Sequence, residues 1–311
     1  MSGQRIQLVP ELTAIAQTYR NKSCIADMIM PKVKVDTPAF QYMSYNKESY
    51  LSVPDTRIGE KGIPNSIELK GTLLTANVET HALQEVVPVA TKEAHKAGNG
   101  EDLGIKATNQ LTDVLKLRKE IEAAKFLGDT KNYGSNLKTL ETVEKIDKAD
   151  SNAVSIIQTA IDNMFYAANT MVLSRKAASA LRQNPYIVDA CGMAAKKAGI
   201  VPFEALKELF GLDKILVGEG VHNVAKKGTN LQLQNCWADN IVLLHLNDTI
   251  STDYGFSFGY EAEYEALTIG KYFDEEPGTK GADVYKAFYS NKFLAIAPEL
   301  GYLIKDVLTT K

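Results

Sequence analysis

Apolar positions change their spacing repeatedly along this chain, and the changes divide it into segments with different structural requirements. Residues 1–39 combine a short helical pattern, Leu12, Ile15, Ala16 and Tyr19, with the alternating stretch MIMPKVKVDTPAF, whose two prolines favour extended backbone. Two readings are open here: an arm that reaches away, or a helix and edge strand packed on the domain that carries them. From Phe40 to Pro88 helical spacing vanishes, and β-branched, aromatic and turn residues take over in FQYMSYNKESYLSV and NSIELKGTLLTANVET. Two long strands are predicted. The connection PDTRIGEKGIPN, punctuated by Pro54, Gly59, Gly62 and Pro64, is too long for a tight hairpin turn. A two-stranded ribbon is marginally stable alone in water, so it needs a second surface, which another subunit would supply.

Helical periodicity returns at Asn99, a plausible N-cap with Glu101 and Asp102 in the first turn, and runs to the stop at Gly128. Ala107, Leu111, Val114, Leu117, Ile121 and Ala124 form the expected apolar seam, with Lys116, Arg118, Lys119, Glu120 and Glu122 facing outward. Roughly 27 residues at about 1.5 Å each give a rod of about 40 Å. No other segment is as long and seamed, which argues against a helical bundle. Residues 128–150 are a polar loop or weak hairpin. Beyond them, Val154, Ile157, Ile161 and Met164 keep helical spacing, TMVLS reads as a buried strand, and RKAASALRQNP is a helix ended by Asn184 and Pro185. A further helical stretch through Lys197, the Pro202-led helix FEALKELF closed by Gly211, and the strands KILVG and IVLLHL complete an α/β unit over about 150–247. In the tail, GFSFGYEAEYEALTIG alternates, YKAFYSNKFLAIAP offers two short strands, and GYLIKDVL closes the chain. These segments have no helices of their own and are expected to return beside the helix of 101–127.

Composition narrows the class. Hydrophobic residues at 45% and charged residues at 23% exclude a disordered chain. Thirty-five basic against 38 acidic side chains give a formal charge of -3, and no Lys/Arg block is dense enough to grip duplex DNA by counterion release. Cys24, Cys191 and Cys236 are odd in number and far apart, so neither a disulfide framework nor a zinc cage is indicated, and a reducing cytoplasm is the expected place of synthesis. No run approaches the roughly 18 apolar residues of a membrane span, and the first residues lack a basic segment followed by an apolar one.

Candidate chemistry is sparse. GEGVHN, Gly218 to Asn223, follows the strand KILV and imitates a dinucleotide-binding turn, but Asn223 replaces the third glycine and no phosphate-binding helix follows; a plain turn is expected. His81, His95, His222 and His245 sit in no ligand or nucleophile motif, and His245 in an apolar strand reads as a hydrogen-bonded core histidine. Cys191 and Cys236 read as small buried hydrophobes. In YEAEYEA, Glu261, Glu263 and Glu265 fall on one face of a strand, where like charges repel unless solvated or met by cations. That leaves a solvated face, or contact with basic residues of a neighbouring subunit. No catalytic, cofactor or metal site is assigned.

The order of elements resembles the major capsid protein fold of tailed phages, which is shared with encapsulin compartments. The stretches YRNKSCIADMIMPKVKVDTPAFQYMSY and VPDTRIGEKGIPN are similar to the arm and extended loop of a phage capsid family. NTMVLSRKAASALRQNP, LFGLDKILVGEGVHNVAKKG and APELGYLIKDV are similar to its central and C-terminal segments. The resemblance covers nearly the whole chain and implies an α+β capsid fold. Its parts would be an N-terminal arm (1–39), an extended loop (40–80), a peripheral domain with a spine helix (81–149), an axial α/β domain (150–247) and returning peripheral strands (248–311). It further implies self-assembly into pentamers and hexamers around DNA that is enclosed without sequence-specific binding, with portal and decoration proteins as further partners. Arg57, Glu60 and Lys61 at the loop tip are its candidates for contacts with an adjacent subunit. Many members carry a long N-terminal helical extension as an internal scaffold; here the ribbon begins near residue 40, so either a separate scaffolding protein serves or the extension has been removed. None of Lys47, Lys61 or Lys70 aligns with the lysine that some members crosslink. The competing readings are an encapsulin-like compartment, against which the segment from Tyr19 to Asn65 argues, and a small-molecule enzyme built on the α/β unit.

Overall fold

The computed structural model describes residues 6–19, 23–45, 56–58, 62–63, 71–98, 100, 102–192, 199–226, 228–252 and 256–309. The chain opens with β1 (Gln7–Leu8), a helix at Pro10–Thr18, a helical turn at Ala26–Ile29 and β2 (Lys32–Lys34). Next come β3 (Ala39–Tyr45), β4 (Gly71–Asn77), β5 (Glu79–Pro88), a helix at Val89–Ala97 and the spine helix, Leu103–Gly128. After β6 (Leu137–Thr139) the helices Ala153–Asp162, Arg175–Gln183, Pro185–Ala190 and Phe203–Phe210 alternate with β7 (Thr170–Ser174) and β8 (Lys214–Gly218). The short strands β9 (Val221–Asn223), β10 (Leu233–Asn235) and β11 (Ile241–Leu244) precede the two longest, β12 (Gly259–Asp274) and β13 (Ala282–Ala295), and β14 (Gly301–Lys305) ends the order.

β12 and β13 form one long antiparallel hairpin, with β5 on the outer side of β13. YKAFYSNKFLA is therefore part of a single strand rather than two short ones. The free edge of β12 is capped twice by the N-terminal segment: β2 runs parallel beside Glu261–Glu263, and β1 lies antiparallel at Gly270–Lys271. Of the two readings open for this segment, the described residues take the second, a helix and edge strands packed on their own chain. Ala16, Ile25, Ala26, Ile29, Met30 and Val33 are all buried. Residues 89–97, outside any predicted element, form a helix.

The spine helix bridges two cores. Along its first half Ala107, Leu111 and Leu115 pack with Ile269, Tyr285 and Ala287 of the hairpin; near its end Ala123 and Leu127 pack with Val172, Val242 and Leu303 of the α/β unit. The predicted seam needs correction. The buried stripe runs Ala107, Leu111, Leu115, Lys119, Ala123, Leu127, in steps of four, whereas Val114 stays 49% exposed. Lys119 and Glu120, expected outside, are buried because other segments supply partners for their charges. The cap also differs: Asp102 is the N-cap, its carboxylate accepting the Gly104 N–H at 2.8 Å, and no acidic residue occupies the first turn.

The α/β unit has strand order β6-β14-β11-β7-β8. Its strands alternate between two apolar environments: Met171, Leu173, Ile241 and Leu243 face a cluster with the helices, while Val172, Val242 and Leu244 face the spine. Burial on both faces explains the uninterrupted apolar runs TMVLS and IVLL. Two segments depart from expectation here. Gly301–Lys305 pairs antiparallel with β11 inside this sheet instead of joining the returning strands, and Leu137–Thr139, from the supposed loop, pairs parallel with it. Both fill sheet edges that would otherwise expose unpaired backbone.

Among the described residues β3 and β4 form a ladder only with each other, in register from Ala39↔Asn77 to Tyr45↔Gly71. The base of this ribbon is anchored by buried Phe40 and by the Met43 N–H bonded to the Thr252 carbonyl at 3.2 Å. The hairpin register gives a direct test. A Cβ on Gly259 would lie 2.0 Å from the Leu294 carbonyl oxygen, and backbone there cannot yield without breaking the β12–β13 pairing. Gly259→Ala is expected to lose about 2–3 kcal/mol in denaturant unfolding. Gly128→Ala, with nothing within 4 Å of the new methyl, is expected to be neutral or slightly stabilising.

Candidate functional site: assembly surfaces around a buried charge cluster

Lys119 and Glu120 are adjacent on the spine helix, so their side chains diverge by about 100° and reach different neighbours. Glu120 accepts the Trp237 indole N–H at 2.6 Å through one oxygen and the backbone N–H groups of Ile25 and Ala26 at 2.8 and 2.7 Å through the other. Burial pushes its carboxyl above the ordinary value, and the three donors restrain that rise. Lys119 holds Asp27 and Glu261, each at 2.6 Å, and Lys32 reaches Asp27 at 3.2 Å and Glu263 at 3.5 Å. Burial alone would raise the Asp27 carboxyl, but Lys119 and Lys32 outweigh it and hold it at about 2. One set of charges thus ties the N-terminal segment, the spine, β12 and the Trp237 loop together.

The acidic run of β12 faces this cluster as one group. Glu261, Glu263 and Glu265, at alternate positions of β12, line a common cavity of about 290 Å³, with a register irregularity in the ladder between the last two. The cations that meet the first two come from the same chain. Glu261 is 1% exposed and also accepts from Asn291 Nδ2 at 2.8 Å, so it is a buried internal partner rather than a surface contact. Glu263 and Glu265 are only half-buried. Of the loop-tip residues, Arg57 is exposed, and Glu60 and Lys61 lie outside the described residues.

GEGVHN is a turn into a ribbon: after Gly218 the chain forms β9, which pairs with β10. Gly218 is small because a Cβ there would strike the Trp237 ring at 2.1 Å. His245 Nδ1 lies 2.8 Å from the Ala167 carbonyl, and His81 lies 3.3 Å from Glu122 while packing on Tyr289. Cys236 Sγ sits 3.4 Å from His222 Nδ1, but burial and the nearby Glu120 charge push its thiol up to about 11, which removes it as a nucleophile at neutral pH. Among the described residues no His, Cys, Asp and Glu group is arranged to hold a metal ion, and no helix is long and apolar enough to cross a membrane. The hub at Glu120 was missed by pattern reading; its one sequence signal was the chain's single tryptophan.

Large apolar side chains remain on two ribbons. Leu73 and Leu74 on β4 are exposed, as are Val221, Leu231 and Leu233 on and beside β9 and β10. Isolated exposed leucines are ordinary, whereas here large apolar side chains recur within a few residues on two thin ribbons.

A ribbon beside a spine helix that joins a long-hairpin sheet to an α/β unit is the fold of phage shell subunits. A phage-related protein from Bordetella bronchiseptica RB50 superposes with a TM-score of 0.76 over 98% of this chain and 99% of its own, at 22% identity. The capsid structure of cyanophage P-SCSP1u matches at a TM-score of 0.60 over 93% and 89%, at 9% identity, a likeness of fold alone. No family model matches the sequence. The major capsid protein of Pseudomonas phage JBD67 is 32% identical over 309 residues, 99% of both chains. The chain belongs to the family of phage major capsid proteins.

Two outcomes follow from the cluster. Lys119→Met leaves the Glu261 charge buried without a cation and is expected to cost about 3–5 kcal/mol in chemical denaturation, with Glu261→Gln added to it recovering a large part. Asp27 has its carboxyl held below the ordinary 3.8, so the unfolded chain binds its proton first as pH falls. Its contribution is complete above about pH 4 and fades as pH drops towards 2. Stability profiles of the wild type and Asp27→Asn should converge over that window; parallel profiles would contradict the assignment.

Proposed function

We propose that copies of this chain assemble in the host cytoplasm into pentamers and hexamers that close an icosahedral shell around phage DNA. The observation that carries this reading is the β3/β4 ribbon, which among the described residues pairs with no other strand and presents Leu73, 55% exposed, and Leu74 to solvent. Laid over an adjacent subunit, the ribbon gains the surface it lacks alone. In such a shell the α/β unit is the axial domain near the capsomer centre, and the spine and long hairpin form the peripheral layer. Arg57, Glu60 and Lys61, with the half-buried Glu263 and Glu265, are the charges proposed to meet neighbours. The formal charge of -3 suits a container that encloses DNA without gripping it. A separate scaffolding protein, a portal and decoration proteins are the expected partners. Non-enzymatic shell formation accords with relatives that are structural capsid proteins.

Assembly is the test. Purified full-length protein, alone and co-expressed with a scaffolding protein, should give capsomers or shells by sedimentation velocity and negative-stain microscopy. Leu73→Asp with Leu74→Asp should leave circular dichroism and Tm unchanged and raise the concentration needed for assembly by about tenfold or more. Undiminished assembly of that variant would remove the ribbon from the contact.

A further inference from the structure

The cavity beneath β12 carries more negative charge than its own lysines neutralise. Four carboxylates, Asp27 and the three glutamates of β12, line it against three ammonium groups, Lys32, Lys116 and Lys119; four minus three leaves one negative charge. The lysines are already committed. Lys119 and Lys32 are held by Asp27, Glu261 and Glu263, and Lys116 donates to the Tyr19 carbonyl while lying over that ring. Glu265 accepts from Ser290 Oγ at 3.2 Å, and among the described residues no cation pairs with it. Two buried side chains of the lining add an independent sign. Glu261, 1% exposed, and Tyr289, 6% exposed, each keep an oxygen with no hydrogen-bond partner, shut off from bulk water. Glu261 is paired through its other oxygen with Lys119, so the unmatched negative charge of the lining falls to Glu265.

We propose that this cavity is a binding site for an organic cation with N–H donors, an ammonium or guanidinium group, seated against Glu265. The donors suit a carboxylate with a free lone pair, and one positive charge neutralises the lining. A volume of about 290 Å³ admits such a group with its alkyl stem. The cation has two possible sources, a free alkylammonium or a lysine or arginine side chain from a second copy of this chain. The site stands on its own geometry and does not require the assembly reading.

The test uses dispersed full-length protein, with butylammonium and methylguanidinium as probes and tetramethylammonium, which has the charge but no N–H, at matched ionic strength. Each probe should give a saturable rise in Tm, absent with tetramethylammonium. In Glu265→Gln the affinity read by calorimetry should fall by about tenfold or more. Glu263→Gln, on the same wall, is the second variant should the first fail to fold, and it is expected to weaken binding as well. No saturable rise, an equal rise with tetramethylammonium, or unchanged affinity in the folded variants would each overturn the proposal. Repeating the titration on assembled particles separates the sources: binding retained there assigns a free cation, and binding confined to dispersed subunits assigns a neighbour's side chain.

Discussion

The structure depends on two adjacent charged residues that the spine helix buries. Apolar packing between helix and sheet is non-directional and would tolerate a slide by one turn, but Lys119 and Glu120 have partners at fixed places. Glu120 needs the Trp237 indole and the amides of Ile25 and Ala26 together; Lys119 needs Asp27 and Glu261. A one-turn shift would strand both charges in a low-dielectric interior, a heavier cost than exposing the few apolar groups that slide out of place. These pairs therefore fix the register of the spine against three other segments, the N-terminal segment, β12 and the Trp237 loop. Nearby apolar residues, Ile25, Ile29, Met30 and Leu127, supply the burial that keeps water from screening them.

Much of this architecture was legible from spacing, and its failures have one cause. The strands TMVLS, KILVG and IVLL and the helices around them were readable because each is apolar in a local pattern that tertiary structure only confirms. The spine's length was equally plain. Its orientation was not, because a seam drawn through Val114, Leu117 and Ile121 assumes that charged residues face water. Lys119 and Glu120 violate that assumption through partners some 90 to 140 residues away, and no local pattern reports them. The acidic run was placed correctly on one strand face, yet the origin of its cations was invisible for the same reason. Gly301–Lys305 was misplaced because an apolar strand looks alike in either sheet.

The ribbons are the converse case. The long-hairpin sheet has its β12 edge capped by β1 and β2, and the α/β sheet is covered on both faces, so each unit satisfies itself. The β3/β4 ribbon leans on its own chain through Phe40, Tyr42, Met43 and Ser44, but among the described residues it joins neither sheet. Leu73 and Leu74 stay exposed on it, which is the feature the proposed contact with a neighbour would use. In the proposed shell each such contact would be small, and many small contacts act together because every neighbour gained raises the effective concentration of the next.

That division has a consequence for the order of events. The N-terminal segment caps β12 and also contributes Asp27, Lys32 and the Ile25 and Ala26 amides to the charge cluster, so it folds as part of the subunit. A chain lacking this docking would leave Glu120 without two of its three donors, Lys119 without Asp27, and the edge of β12 open to wrong partners. In the proposed shell an error inside the cluster would therefore act first as a folding defect of the subunit. Strong internal pairs combined with the weak contacts proposed between copies would let misplaced subunits dissociate while correctly folded ones accumulate.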